Sequence, residues 1–121
     1  MRLYSTDHEW IEVDGEVGIV GITRHAAETL GEIVFLEIKP VGTGLVTGTT
    51  AAVVESVKAA SDIYTPAAGE ITDVNSSAVA NPALLNSSPE AEGWLFKLRL
   101  SNAAELGDLM NEEKYEAFCA N

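Results

Sequence analysis

The chain has 121 residues, 46% of them hydrophobic, enough apolar material for one core without metal or disulfide staples. Nineteen acidic against seven basic side chains give a net charge of −12, which repels phosphate backbones and anionic lipids and argues against nucleic acid or membrane as partners. The charge is left to serve either solubility alone or steering toward basic faces of partner proteins.

From Glu9 to Val20 polar and apolar residues alternate around Asp14-Gly15, a pair suited to a tight hairpin turn, so two antiparallel strands are expected. Thr23 is placed to cap a short helix through Leu30, with Gly31 available for a left-handed exit. Strand chemistry returns over Ile33 to Ile38 and ends at Pro40. Glycines 42, 44 and 48 punctuate a turn-rich segment before the β-branched run Thr49 to Val54, and a matching run, Ile63 to Thr65, precedes Pro66 and Gly69. The polar stretch Asn75-Ser76-Ser77, a helical turn at Asn81-Pro82 and a loop at Asn86-Ser87-Ser88-Pro89 follow. A strand is expected over Trp94 to Leu100. The tail, 101–120, reads as two short helices, the first presenting Leu106, Leu109 and Met110 and the second Tyr115, Phe118 and Cys119. Many short strands with helices confined to one inner crossing and the C-terminus predict a β-sandwich or flattened barrel, one domain over 1–121.

The longest apolar runs fall far short of the ~20 residues of a membrane helix. The N-terminus shows no leader pattern, and the one cysteine, Cys119, has no partner for an internal disulfide. A monomeric cytoplasmic protein is expected.

The segment Val53 to Asp62 places Lys58, one of four lysines, among small and apolar neighbours between two strand signals. Gly48 lies ten residues before it and Gly69 eleven after it, which puts Lys58 at the middle of a hairpin. A lysine held out by two strands can enter another enzyme's active site while its backbone stays fixed. Its amine, with an ordinary pKa of ~10.4, needs an activated acyl donor and an enzyme to deprotonate it. Spacing alone favours an ordinary solvated charge.

Asp7-His8-Glu9-Trp10, Val20-Gly21-Ile22-Thr23, Leu30-Gly31-Glu32-Ile33-Val34-Phe35, Val54-Glu55-Ser56-Val57-Lys58-Ala59, Ser61-Asp62-Ile63-Tyr64-Thr65-Pro66, Asn81-Pro82 and Gly93-Trp94-Leu95 occur in order. Together they make the chain resemble the H-protein family of the glycine cleavage system over nearly its whole length. The resemblance implies a mainly β, hybrid barrel-sandwich fold of the lipoyl/biotinyl type, with a short inner helix and C-terminal helices. It implies lipoate in amide linkage on Lys58, within a lipoyl-site motif of Glu55, Ser56, Val57 and Ala59.

The implied function is a shuttle, acting as a substrate of other enzymes and not as an enzyme itself. The lipoyl group takes an aminomethyl group from a pyridoxal-phosphate-dependent glycine decarboxylase. It passes the group to a tetrahydrofolate-dependent aminomethyltransferase and is reoxidised by dihydrolipoyl dehydrogenase. Lipoylating enzymes are further implied partners. The resemblance also implies a cleft for the charged arm, mapping here onto Asp7, Glu9, Ile22, Thr29, Leu30 and Asp62, with Glu9 the strongest candidate acceptor for its ammonium. One departure is Glu90, where many family members carry an aromatic residue.

Asp7-His8-Glu9 has the ingredients of a general base, but alternation along a strand would send neighbours to opposite faces, and no nucleophile can be placed beside His8. His25 has no second metal ligand at usable spacing. Biotin domains usually flank the modified lysine with methionines, where Val57 and Ala59 stand here. Lipoyl domains of 2-oxoacid dehydrogenases normally sit in long multidomain chains. An H-like lipoyl donor in lipoate assembly is the alternative closest to the shuttle.

Overall fold

A computed structural model describes residues 1–101 and 103–120, and the side chains of all of these but 103–105. Asn102 and Asn121, the first inside the expected helical tail and the second the end of the expected domain, lie outside the described residues. The elements run β1 (Arg2–Tyr4), β2 (Glu9–Asp14), β3 (Val17–Ile22), α1 (Arg24–Leu30), β4 (Ile33–Ile38), β5 (Gly44–Leu45), β6 (Thr50–Ser56), β7 (Ala60–Tyr64), β8 (Gly69–Val74), α2 (Ser76–Ala80), α3 (Leu84–Ser87) and β9 (Phe96–Leu100). A 3-10 turn over Ala103–Asp108 and α4 (Glu112–Ala120) complete the chain. Six strands form one antiparallel sheet in the order β1-β2-β3-β9-β8-β5, and β4-β6-β7 form a second.

The expected sandwich follows from alternation. Ile11 pairs with Val20, and both turn into a core shared with Ile71 and Leu98 of the same sheet and Leu36, Val54 and Ile63 of the other. A second cluster lies elsewhere, with Tyr4, Trp10 and Tyr115 at its centre and Ile19, Trp94, Met110 and Cys119 around them. Gly21, opposite Trp10 in the register, makes that cluster possible, because a Cβ there would meet the indole at 2.6 Å. Tyr4 exchanges both backbone hydrogen bonds with Met110 at 2.8 Å and stacks its ring on Tyr115 at 4.6 Å, tying the C-terminal segment to the edge strand.

The hairpin at Asp14-Gly15, the Thr23-capped helix, the strand ended before Pro40 and the last tail helix stand where the pattern predicts them. The first tail helix is instead a 3-10 turn that stops at Asp108, so Leu109 and Met110 lie beyond it, and Met110 bridges to Tyr4 and packs on the second cluster. Other features differ. β7 begins at Ala60, well before Ile63, because Ala60, Ser61 and Asp62 are zipped onto Glu55, Val54 and Val53. Ser76 and Ser77 open α2, whose Ala78 is fully buried, and Asn86 and Ser87 belong to α3 instead of a loop. β1 and β8 carry no alternation strong enough to mark them.

Candidate functional site

Lys58 stands at the tip of the β6–β7 hairpin, and its neighbours build that tip. Ser56 Oγ accepts the backbone N–H groups of Lys58 and Ala59, each at 3.2 Å, while the Ser56 N–H donates to the Ala59 carbonyl at 2.9 Å. One hydroxyl thus replaces the strand partners that a three-residue turn cannot supply. The Val57 N–H donates to the Glu32 carbonyl at 3.0 Å, bolting the tip to the connection between α1 and β4. Glu55 lies between Phe35 and Ala60 in the sheet register. All five motif positions, 55–59, are therefore in one hairpin end.

The lysine itself is not held away from the body. Its Nζ donates to the Thr29 carbonyl at 2.9 Å, capping the last turn of α1, which has no basic residue of its own. Gly31 suits its place by its backbone first and by its closeness to Lys58 second. Its φ of 80° is left-handed, and a Cβ there would sit 3.2 Å from Lys58 Cε. Asn86 finishes the cap, donating to the Gly31 carbonyl at 2.7 Å and accepting the Ile33 N–H at 2.9 Å.

Beside the Thr29 rim opens a pocket of about 190 Å³ between α1, β7 and the turn before β2, lined by Asp7, His8, Ile22, His25, Ala26, Thr29, Leu30, Ser61, Asp62 and Ile63. Five of the six predicted cleft residues, Asp7, Ile22, Thr29, Leu30 and Asp62, are brought together here. The sixth, Glu9, does not line it. Glu9 pairs with Ile22 in the sheet but is only 2% exposed, its Oε1 accepting from Ser5 Oγ at 2.7 Å. Burial pushes its pKa up to about 7, Asp7 adds to the rise, and the hydrogen bonds from Ser5 and the Tyr64 backbone oppose it. A larger depression of about 330 Å³, around Pro40 and Thr50, includes none of the motif or cleft residues.

Sequence reasoning passed over His8 and His25 as pocket residues. Alternation holds from Glu9 onward, but His8 lies before β2 with φ 66°, so it and Asp7 line the same pocket. No periodic signal marks His8 against His25. Among the described residues no group of three His, Cys, Asp or Glu side chains could hold a metal ion, and no helix is long and apolar enough to cross a membrane.

The site fits a covalent acyl attachment with a cationic terminus. The lysine amine is exposed, the adjoining pocket offers Ile22, Ala26, Leu30 and Ile63 for methylenes, and Asp7 and Asp62 supply carboxylates for an ammonium.

Comparison with known proteins shows the family. The family model for the glycine cleavage H-protein matches residues 2–121. The glycine cleavage system H protein of Dinoroseobacter shibae is 52% identical over 114 residues, 94% of this chain and 93% of that one. Its counterpart in Thermotoga maritima is 45% identical over 120 residues, 99% of this chain and 97% of that one. The crystal structure of the glycine cleavage system H protein from Mycobacterium marinum superposes with a TM-score of 0.91 at 35% identity, covering 99% of this chain and 97% of that one.

Proposed function

Because the chain belongs to the glycine cleavage H-protein family, as a lipoyl carrier of glycine cleavage, we propose that Lys58 is the residue that bears lipoate. The observation that carries this is the hairpin tip, where Ser56 and the Val57–Glu32 bond fix the backbone around one exposed amine. When bound, lipoate supplies a dithiolane that is reduced as it takes up an aminomethyl group and is reoxidised after the group is passed on. The chain's own residues hold, aim and shelter. β6 and β7 present the amine, and the Thr29 carbonyl holds its stem against α1 until an acylating enzyme withdraws it.

The pocket beside Thr29 is assigned to the charged end of the arm: Ile22, Leu30 and Ile63 exclude water, and Asp7 and Asp62 balance the ammonium. Glu9, beside Ile22 in the sheet and outside the pocket lining, is a buried carboxyl next to this site. The carrier works with the enzymes of glycine cleavage, and we assign it three successive hosts: the pyridoxal-phosphate decarboxylase, the tetrahydrofolate-dependent aminomethyltransferase and dihydrolipoyl dehydrogenase.

Intact-mass measurement and peptide mapping of protein from lipoylating cells are expected to find a single lipoyl group on Lys58, taking the formal net charge from −12 to −13 as one ammonium becomes an amide. Lipoate on Lys39, Lys97 or Lys114 would overturn the assignment.

Around the tip Glu32, Glu55 and Asp62 stand beside the exposed apolar side chains of Val34, Phe35 and Val57. A basic partner face would be steered by these carboxylates over a Debye length of about 8 Å at physiological ionic strength. Affinity for the decarboxylase is expected to fall as salt is raised. An affinity unchanged between low and high salt would assign docking to the apolar residues and leave the charge to solubility.

A further inference from the structure

His8 and His25 stack on the pocket wall with ring centroids 4.4 Å apart and planes 26° from parallel. His8 is held there at φ 66°, among the described residues the one non-glycine with positive φ. Its backbone is fixed from both sides, by its N–H to the Ser5 carbonyl at 3.2 Å and by its carbonyl to the Thr23 N–H at 3.0 Å. Strain of this kind persists where surroundings over-determine it.

The ring has a further partner, from the other end of the chain. His8 Nδ1 lies 2.7 Å from Tyr115 Oη, and that oxygen lies 2.7 Å from Thr23 Oγ1. Thr23 Oγ1 already accepts the Ala26 N–H at 3.2 Å as the cap of α1, so its own proton is free to go to Tyr115. Tyr115 can then give its phenolic proton to His8 Nδ1. A nitrogen that accepts is unprotonated, which leaves the ring neutral with its proton on Nε2.

We propose that Tyr115 is a positioning residue of the arm pocket: its hydroxyl, oriented by Thr23, holds His8 as the neutral Nε2–H tautomer and keeps a competing cation out of a pocket that takes an ammonium. The proposal rests on the reading of this pocket as the arm site. It gives α4 a role in a pocket that none of its residues lines.

The groups facing His8 are Asp7 beside it, His25 on α1, Asp62 across the pocket on β7, and Tyr115 on α4, with the Phe118 ring against its other side at 5.6 Å. Burial and then His25 lower the His8 pKa, against the opposing pull of Asp7. Burial raises that of Tyr115, the bond from Thr23 opposes it, and the hydrogen-bonded Cys119 thiol on α4 and the Glu90 carboxylate add to the rise, so the phenol retains its proton and Cys119 is a further side chain that faces it.

The test compares wild type with Tyr115→Phe, which keeps the ring stacked on Tyr4, by long-range ¹⁵N–¹H correlation of the His8 ring across pH 5 to 8 in the unmodified protein. Wild-type His8 is expected as the Nε2–H tautomer. In the variant its titration midpoint is expected to rise by about half a unit or more, the effect of one hydrogen bond to the neutral form. A second reading follows the Ile22 and Ile63 methyl resonances of the lipoylated protein as glycine and the decarboxylase charge it. They are expected to shift in wild type, and to shift less in the variant at pH 6. A His8 midpoint or tautomer unchanged by Tyr115→Phe overturns the relay while leaving the pocket's role intact. Methyls that stay put when wild type is charged overturn the pocket as arm site, and with it the role given to Tyr115.

Discussion

Lys58→Arg is expected to leave the fold intact and reduce carrier activity to background. The guanidinium keeps the positive charge and offers more donors than the ammonium, so the Thr29 carbonyl that Lys58 caps at 2.9 Å retains a partner. The tip is built by Ser56 and by backbone bonds to Ala59 and Glu32, none of which uses the lysine side chain beyond Cα. A charge at a helix C-terminus contributes about 0.3–1 kcal/mol, so the melting temperature should stay within a few degrees of wild type. Arginine cannot form the lipoyl amide, and no further acceptor lies on this hairpin. Lys58→Ala separates the two roles, since it loses the helix cap as well as the attachment point. Melting temperatures of the three proteins read the cap, and incubation with a lipoylating enzyme, followed by mass measurement and a glycine–bicarbonate exchange assay with the decarboxylase, reads the attachment. Exchange above background in Lys58→Arg would place the attachment elsewhere.

The hairpin around Lys58 was legible because its determinants are local. The β-branched run of β6, the small residues of the tip and the glycines beyond lie within about twenty residues, so spacing alone located the lysine. β2, β3, α1 and β4 were legible for the same reason, each having an alternation or cap that competes well against other local structures. The start of β7 was not, since Ala60, Ser61 and Asp62 are weak strand formers that become a strand only by pairing with β6. α2 likewise owes its helix to the burial of Ala78 and not to Ser76 and Ser77.

The motif's meaning came from resemblance, and so did the cleft. Neither composition nor period could bring Asp7, Thr29 and Asp62 together, because the three sit on different elements that meet only when α1 crosses the sheets. The His8–Tyr115 contact spans 107 residues and was invisible for that reason. Its nearest sequence sign was the tail pattern that presented Tyr115 and Phe118 on one face. That pattern announced packing and nothing about a histidine. The same long-range closure gives Glu90 a structural part. Its carboxylate accepts the Arg24 N–H at the start of α1 at 2.8 Å, and its carbonyl accepts from Arg2 at 2.9 Å. Glu90 therefore braces the helix that forms the pocket wall.

Glu9→Gln is expected to be more stable than wild type at pH 8 and to lose that advantage toward pH 5. Glu9 is almost wholly buried, and its carboxyl titrates at about 7, above the ordinary 4.5, chiefly because burial penalises the charged form. With the folded pKa raised, the folded state binds the proton more tightly than the unfolded chain. The stability this gives is fully present below about 4.5, is lost as pH rises through about 7, and is absent at pH 8. A shift of that size corresponds to at most about 3 kcal/mol. Glutamine stays neutral at every pH and keeps an oxygen for the Ser5 hydroxyl, so it removes the pH-dependent part without emptying the site. Any fixed packing cost of the amide moves the variant's curve vertically and leaves its slope unchanged. Contributions from other groups, such as Glu12 with its lowered pKa, are common to both proteins and cancel in the difference. Denaturant midpoints for wild type and variant between pH 4.5 and pH 8.5 supply the test, with equal m-values confirming a common transition. Parallel curves would show that Glu9 ionises in its ordinary range. A widening gap would show that the fold holds the Glu9 carboxyl where its charge is disfavoured, at a cost to stability that grows as pH rises.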